Sequence, residues 1–502
     1  MAVLNVLCDR AEGTPGDIPF RSVTGKSLSY EEWARSSRAL AGVLREQCGV
    51  RLNDRVMIVV DREMWLEYAI AYVAVLAAGA TVVTARPEEG RASLERSAEL
   101  TATSLCVFSG ARAREVTSGL SRRLELTDTV TGTAVSGTAM TEEAELPEVV
   151  ELLFTSGTTG RRMAVGCPRA DFVDGLRQEV RSPVSNSPRR SVLVHHIPLG
   201  TQAAQRVLWE ALRASRLTNV YLPNTSPNAI RSAVEKYSAT FVGLVPFTAR
   251  RLVRACTGAN AALPSVEWVS VGSSPADDDV LNSLTEVFPN AQVMNMYGLT
   301  EAGAARIRGV HPNPPGALGT PEPGTRVSIR GDDGAPVPCG HKGDLWISRL
   351  GGQARFYVGD PAATAAVFRG DWVRTGDIAW VDSDGYVYLV DRARDIINSV
   401  GQKIASIEIE TCLRAHELVV EAAVFGTPSR LLGERVVAAV VVDQSWSANA
   451  EDIQRELMVH CRERLSPYAV PSRFVHLEAM PTGPTGKVLK HVLRKTYSQD
   501  LT

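Results

Sequence analysis

The sequence predicts an α/β protein. A large N-terminal domain of helix-covered, mainly parallel sheets carries a small antiparallel sheet or barrel, and a small mobile α+β C-terminal domain follows. Three observations support this. Short apolar runs alternate with amphipathic stretches up to about residue 320, a rhythm suited to parallel strands with helices on both faces. Beyond that point Gly, Pro and Asp punctuate short strands, the texture of antiparallel hairpins. Finally, 502 residues exceed one core, since single cores stop growing at roughly 250–300 residues.

Residues 56–60 read as a buried strand, 65–77 as a helix and 81–84 as the next strand. The apolar stretch 68–85 is about as long as a membrane span, but Gly79 interrupts it and β-branched residues follow. Helix, turn and buried strand is the better parse. Further strands are expected at 105–108, 192–194, 219–222 and 241–245, with helices at 205–213 and 227–237 between them. The polar stretch 111–146 is expected to be a surface excursion. Residues 327–330, 344–348 and 386–390 supply the antiparallel part. The C-terminal domain then reads as a helix at 406–415, strands at 419–425 and 436–442, a helix at 451–464 and a strand at 473–477. The expected division is 1–391, a hinge at 392–395, and 396–502.

A formal net charge of −2 gives no electrostatic footprint for nucleic acid. The eight cysteines are scattered singly, without CxxC or a Cys/His cluster. That argues against a disulfide framework or zinc site and for a reducing cytoplasm. The N-terminus lacks the basic flank and cleavage site of a signal peptide. Only seven of the 54 basic residues are lysine, so each lysine merits inspection.

The strongest local signal is Leu152-Leu-Phe-Thr-Ser-Gly-Thr-Thr-Gly160, a buried strand running into a loop of hydroxyls and glycines. Glycines let backbone N–H groups turn inward and hydroxyls add donors, so such a loop can wrap phosphates. The bland alternative is a Ser/Thr/Gly-rich surface turn. The chain has no GxxxxGK[ST], no strand followed by GxGxxG and no GxSxG, so Walker, dinucleotide and serine-hydrolase sites lack support. Four further segments follow: Val271-Gly-Ser-Ser-Pro275, Asn295-Met-Tyr-Gly-Leu-Thr-Glu301, Thr375-Gly-Asp377 and Pro481-Thr-Gly-Pro-Thr-Gly-Lys487.

In this order and spacing the five segments resemble the core motifs of the adenylate-forming superfamily, which includes acyl- and aryl-CoA synthetases, stand-alone adenylation domains and luciferases. The likeness runs from about residue 20 to 495. It implies that Thr155, Ser156, Gly157, Thr158, Thr159 and Gly160 cradle the ATP phosphates. Gly272, Ser273, Ser274 and Pro275, with Asn295, Met296, Tyr297 and Gly298, would line the adenine site. Thr300 and Glu301 would face the phosphates, with Glu301 holding Mg²⁺. Asp377 would accept from the ribose hydroxyls, and Arg392 would approach the nucleotide. Lys487 would bridge the carboxylate and the α-phosphate. Arg394 resembles the family's hinge position, and Gly401 and Lys403 its acceptor loop. Taken singly, Asp377 could be a turn cap, Glu301 a helix start, and Lys487 a solvated lysine.

The departures are specific. Where the family continues through Pro-Lys-Gly, this chain has Arg162-Met163-Ala164, so the loop lysine is missing and Arg161 or Arg162 is left to replace it. The family's Pro-Leu-x-His segment reads Pro198-Leu199-Gly200-Thr201, with His195 and His196 upstream. Adjacent strand residues point to opposite faces, so at most one of the two histidines can face a pocket. The expected acid pocket comprises His196, Thr201, Gln202, Gln205, Gly243, Val271, Met296 and Ala304, with Val269 and Ala305 nearby. Amino-acid-activating relatives place an aspartate near Thr201; without it, burying an ammonium is costly. An aromatic or other acid lacking a free α-amine is therefore expected.

The implied reaction is ATP-dependent formation of an acyl-adenylate in a specialised biosynthetic enzyme. Transfer to a pantetheine thiol would follow, on coenzyme A or on the phosphopantetheine of an acyl carrier protein. The alternatives are transfer to an amine and a non-catalytic nucleotide-binding homologue. Nucleic acid and a membrane span are not expected.

Overall fold

The computed structural model describes residues 3–126, 144–156, 162–178, 190–213, 216–256, 262–349, 354–443, 449–483 and 486–498. Its first sheet is 7-stranded. The strand Arg55–Val60 lies parallel to Thr81–Ala85 and to Leu105–Ser109. Both neighbours are buried along their whole length, as expected of strands covered on both faces. The helix Trp65–Ala77 buries every residue except Leu66 and Glu67, so it is a core helix and not an amphipathic surface one. Gly79 at φ +83° turns the chain from this helix into the next strand, and a Cβ there would lie 2.9 Å from Ala144. No helix among the described residues is long and apolar enough to cross a membrane.

The strand Val149–Ser156 adds to this sheet parallel to Thr81–Ala85, and Arg162–Pro168 pairs back antiparallel to it. The expected excursion at 111–146 begins later than its polarity suggests. A helix at Ala111–Val116 buries Ala113 and Val116, and Arg123–Glu125 joins the sheet edge. The i, i+3 apolar pair of that helix is hidden among arginines and glutamates. Residues 127–143 lie outside the described residues.

The second sheet is 14-stranded. Its parallel part runs from Phe20–Ser22 through Leu217–Tyr221, Ser191–His195, Phe241–Leu244 and Trp268–Gly272 to Gln292–Tyr297. The antiparallel part is not detached. Ile307–Val310 and Ala317–Pro321 carry the hydrogen bonding onward to Val387–Arg392, Trp372–Val381, Gly343–Arg349 and Thr325–Arg330.

That large sheet's last strand ends at Arg392, and a third, 5-stranded sheet begins at Ile397. The third sheet is built on the long hairpin Val419–Ser429 and Gly433–Val442. Alternate residues feed separate cores: Val424, Ala438 and Leu457 on one side, Phe425, Val437 and Leu493 on the other. The eight cysteines are free thiols.

Candidate active site

Cross-strand register sets the nucleotide side of the site. Asp377 on Trp372–Val381 stands opposite Arg392 on Val387–Arg392. Asp377 is 6% exposed. It accepts a hydrogen bond from the Tyr297 hydroxyl at 2.6 Å, and Arg392 Nε lies 3.4 Å from its Oδ1. Burial, reinforced by Asp377, pushes the Tyr297 phenol well above its ordinary value, so Tyr297 stays a donor. The end of Trp268–Gly272 presses against Gln292–Tyr297: a Cβ on Gly272 would lie 3.1 Å from the Met296 carbonyl. Ser273 takes a left-handed φ of +77°, with Ser274 and Pro275 following. Asn295 is buried and Gly298 exposed.

Glu301 sits on the short turn Thr300–Ala302. Thr155, 146 residues earlier, donates through Oγ1 to Glu301 Oε1 at 3.2 Å. Tyr357 donates to the same oxygen at 3.0 Å. Among the described residues no group of three or more His, Cys, Asp or Glu gathers to hold a metal. The donor set on offer is one carboxylate beside hydroxyls. That suits Mg²⁺, which is commonly held by one or two carboxylates plus substrate phosphates. Ser156 ends the strand, opposite Arg162, while residues 157–160 lie outside the described residues.

Lys487 arrives from the third sheet's end of the chain. Gly483 N–H donates to the Lys487 carbonyl at 2.8 Å, and a Cβ on Gly486 would lie 3.4 Å from Val245, the N-cap of the helix Pro246–Ala255. Desolvation, with help from Arg392 and Arg394, pushes the Lys487 ammonium down to about 8 against the pull of Asp377 and Glu301. The Lys487 ammonium thus feels the charges of Asp377, Glu301, Arg392 and Arg394. Arg394 is exposed in the turn that follows Arg392. Gly401 and Lys403 are exposed on the hairpin Ile397–Ser399 and Gln402–Ile404. There Val400 (φ +50°) and Gly401 (φ +74°) form a two-residue left-handed turn.

The acid side differs from expectation. Val271 and Val269 point into the buried cluster with Leu244, Leu252 and Leu284. Strand alternation puts Ser270 and Gly243 on the other face, where a Cβ on Gly243 would lie 3.5 Å from that of His195. Thr201 accepts from Ala204 N–H at 3.2 Å and donates to the Pro198 carbonyl at 2.9 Å; it caps the helix Gln202–Arg213. Gln205 is buried against the Tyr68 hydroxyl at 2.9 Å, and Gln202 accepts from Arg355 at 2.5 Å. His195 packs between Trp65 and Tyr221, and burial lowers it to about 3. Burial lowers half-buried His196 to about 4, so both rings are neutral at pH 7. Ala305 is buried, while Ala304 and Met296 remain half-buried.

Arg162 does not replace the missing lysine. Its guanidinium pairs with Glu89, Nη2 to Oε1 at 2.6 Å, and stacks 4.0 Å over Phe154. Met163 lies in an apolar cluster with Val165, Ala302 and Ala305. Arg161 is outside the described residues. Sequence reasoning missed Tyr357 and Arg355 altogether. The only signal for them is an aromatic and a basic residue ahead of the turn at Gly359.

Comparison with known proteins adds independent information. Residues 7–357 match the family described as AMP-binding enzyme, and residues 408–487 match the AMP-binding enzyme C-terminal domain. The chain is 30% identical to a feruloyl-CoA synthase of Amycolatopsis sp over 94% of each chain. It is 24% identical to 4-coumarate--CoA ligase-like 6 of Arabidopsis thaliana, over 96% of this chain and 88% of that one. Among solved structures, the amide bond synthetase McbA from Marinactinospora thermotolerans superposes with a TM-score of 0.83. It is 26% identical, covering 99% of this chain and all of that one.

Proposed function

The chain belongs to the AMP-binding enzyme family, and from that premise we propose that it activates a carboxylic acid with ATP. The acid attacks the α-phosphate, giving an acyl-adenylate and pyrophosphate; a coenzyme A thiol then displaces AMP to form a thioester. The observation that supports this most directly is the convergence of Lys487, Asp377 and Glu301 from distant parts of the chain, with the Lys487 ammonium in a desolvated position.

Each residue has a definite task in this reading. A carboxylate is a poor electrophile because its oxygen leaves badly, so it must first be joined to AMP as a mixed anhydride, from which AMP can leave. Asp377 accepts from the ribose, and Tyr297, bonded to it at 2.6 Å, holds it in place beside the adenine turn. Lys487 neutralises charge developing on the α-phosphate oxygens, which a positioned cation does well away from bulk water. Thr155 and Tyr357 orient the Glu301 carboxylate, which would hold Mg²⁺. When bound, Mg²⁺ supplies Lewis-acid screening of the phosphates.

The second half-reaction needs the acceptor where Lys487 now stands. A rotation of the C-terminal region about Arg394 would withdraw Lys487 and bring in the hairpin with Gly401 and Lys403. The acid is read as aromatic, or otherwise lacking an α-amine. Thr201 is spent on capping and offers no carboxylate for an ammonium, and two relatives are named for feruloyl and 4-coumarate. Phosphopantetheine on a carrier protein presents the same thiol as coenzyme A. A second reading, transfer to an amine, is favoured by the likeness to an amide bond synthetase. ATP–pyrophosphate exchange with a panel of carboxylic acids tests activation. Mass analysis of products formed with coenzyme A, a carrier protein or amines tests the acceptor.

A further inference from the structure

Arg355 is 6% exposed and uses all three nitrogens of its fork. Nε donates to Asp171 Oδ2 at 2.8 Å, and Nη2 to Cys167 Sγ at 3.4 Å. Nη1 donates twice, to Gln202 Oε1 at 2.5 Å and to the Thr300 carbonyl at 2.7 Å. Four separate elements therefore meet on one side chain. Cys167 belongs to Arg162–Pro168 and Asp171 to the helix Arg169–Gln178. Gln202 opens the helix on the acid side, and Thr300 opens the turn carrying Glu301.

The surroundings are shaped for this contact. Gly303 has φ +60°, and a Cβ there would lie 3.0 Å from Arg355 Nη2, so the turn approaches the guanidinium as closely as a glycine allows. A Cβ on Gly166 would lie 2.5 Å from the Phe356 ring. Glycine thus lets the tip of the Phe356 ring rest against the strand next to Arg355. Burial opposes the charge, but the Asp171 carboxylate sits against it, and the guanidinium is held protonated.

We propose that Arg355 is a positioning residue. By gripping the Thr300 carbonyl and Gln202 with one nitrogen, it sets the turn that carries Glu301 and fixes that turn's distance from the acid-side helix. The proposal rests on the reading of Glu301 as the Mg²⁺ ligand. Arg355 itself touches neither Glu301 nor, in this account, a substrate. A lysine could keep the charge near Asp171 but could not span Asp171, Gln202 and Thr300 together, because an ammonium lacks the planar fork.

The test compares wild-type protein with Arg355→Lys by calorimetric titration of ATP, with and without Mg²⁺, alongside melting temperature and pyrophosphate exchange. Arg355→Lys keeps a cation beside Asp171, so it should fold with a melting temperature lowered only modestly and bind metal-free ATP equally. Its gain in affinity on adding Mg²⁺ should shrink by roughly 10–100-fold, the usual scale for losing a group that orients a metal ligand. The exchange kcat should fall by a similar factor. Equal Mg²⁺ gains in the two proteins overturn the proposal. So does a loss that is the same with and without Mg²⁺ and tracks a lowered melting temperature, since that is a merely structural role. Should Arg355→Lys fail to fold, Asp171→Asn loosens the same fork and must move the Mg²⁺ gain in the same direction; an unchanged gain overturns the proposal. Absence of exchange with every acid sinks the activation reading but leaves the calorimetric comparison valid. Wild-type protein whose ATP binding ignores Mg²⁺ overturns both.

Discussion

Arg414 closes a two-pronged ion pair on Asp277, with Nε 2.8 Å from Oδ2 and Nη2 2.7 Å from Oδ1. The pair ties the first helix of the third sheet, Ser406–Arg414, to the turn preceding the helix Asp278–Val287. Arg250 Nη1 adds a contact at 3.3 Å and Thr411 Oγ1 one at 3.2 Å. In the proposed mechanism these contacts hold the C-terminal region in the orientation that delivers Lys487.

Asp277→Ala should loosen that docking. The pair is largely but not fully buried, so removing one partner should cost up to about 3–5 kcal/mol, because the other charge is left unpaired. Pyrophosphate exchange should fall while transfer from a pre-formed acyl-adenylate is kept, and protease should cut faster within 392–395. Burial alone would raise the Asp277 carboxyl, but Arg414 and Arg250 bring it below the ordinary 3.8. The tie is therefore complete above that value and is lost only as pH falls through the lower, folded-state value. Equal loss of both half-reactions would contradict the docking role.

Lys487→Ala should abolish adenylation while sparing use of pre-formed acyl-adenylate. Loss of a charge-stabilising donor typically costs ~10²–10³ in rate. With its ammonium lowered to about 8, kcat/KM for adenylation should fall as pH rises through about 8, since this ratio reports the free enzyme. A lysine lowered on folding penalises the folded state below pH 8, and that penalty fades between 8 and its ordinary 10.5. A flat profile from pH 7 to 9.5 would contradict the role.

Asp377→Ala should weaken ATP binding by a factor of about 10–100, the scale of a charge-assisted hydrogen bond at about 1.5–3 kcal/mol. Isothermal titration checks it. Unchanged affinity with a lowered melting temperature would mean that Asp377 serves only Tyr297 and Arg392.

Much of this arrangement was legible from residue order. Helix Trp65–Ala77 and the strands flanking it follow from apolar runs broken at Gly79, and the five motifs name residues that meet in space. Facing was not legible. Val271 lies inside the cluster with Leu244 because strand side chains alternate, and a motif does not say which parity looks at the site. Partner choice was not legible either. Arg162 looks like a spare phosphate cation until Glu89, 73 residues away, is seen to hold it. Arg355 and Tyr357 sit in a stretch whose meaning comes only from what packs on it.

Met163→Lys, which supplies the lysine that the resemblance to the adenylate-forming superfamily implies here, should destabilise this chain and not accelerate it. Met163 is 9% exposed among apolar neighbours, and an ammonium placed there meets a desolvation penalty of several kcal/mol. Thermal melting and exchange rate together decide. Faster exchange at an unchanged melting temperature would show that this position reaches the phosphates.

Acid-dependent exchange of labelled pyrophosphate into ATP tests the central claim most directly. It should be measured with Mg²⁺ on wild type and Lys487→Ala across aromatic and aliphatic carboxylic acids. The account predicts exchange that requires an acid, prefers acids without an α-amine, and drops at least a hundredfold in the variant. Exchange at equal rates in both proteins, or none with any acid despite MgATP binding, would contradict it.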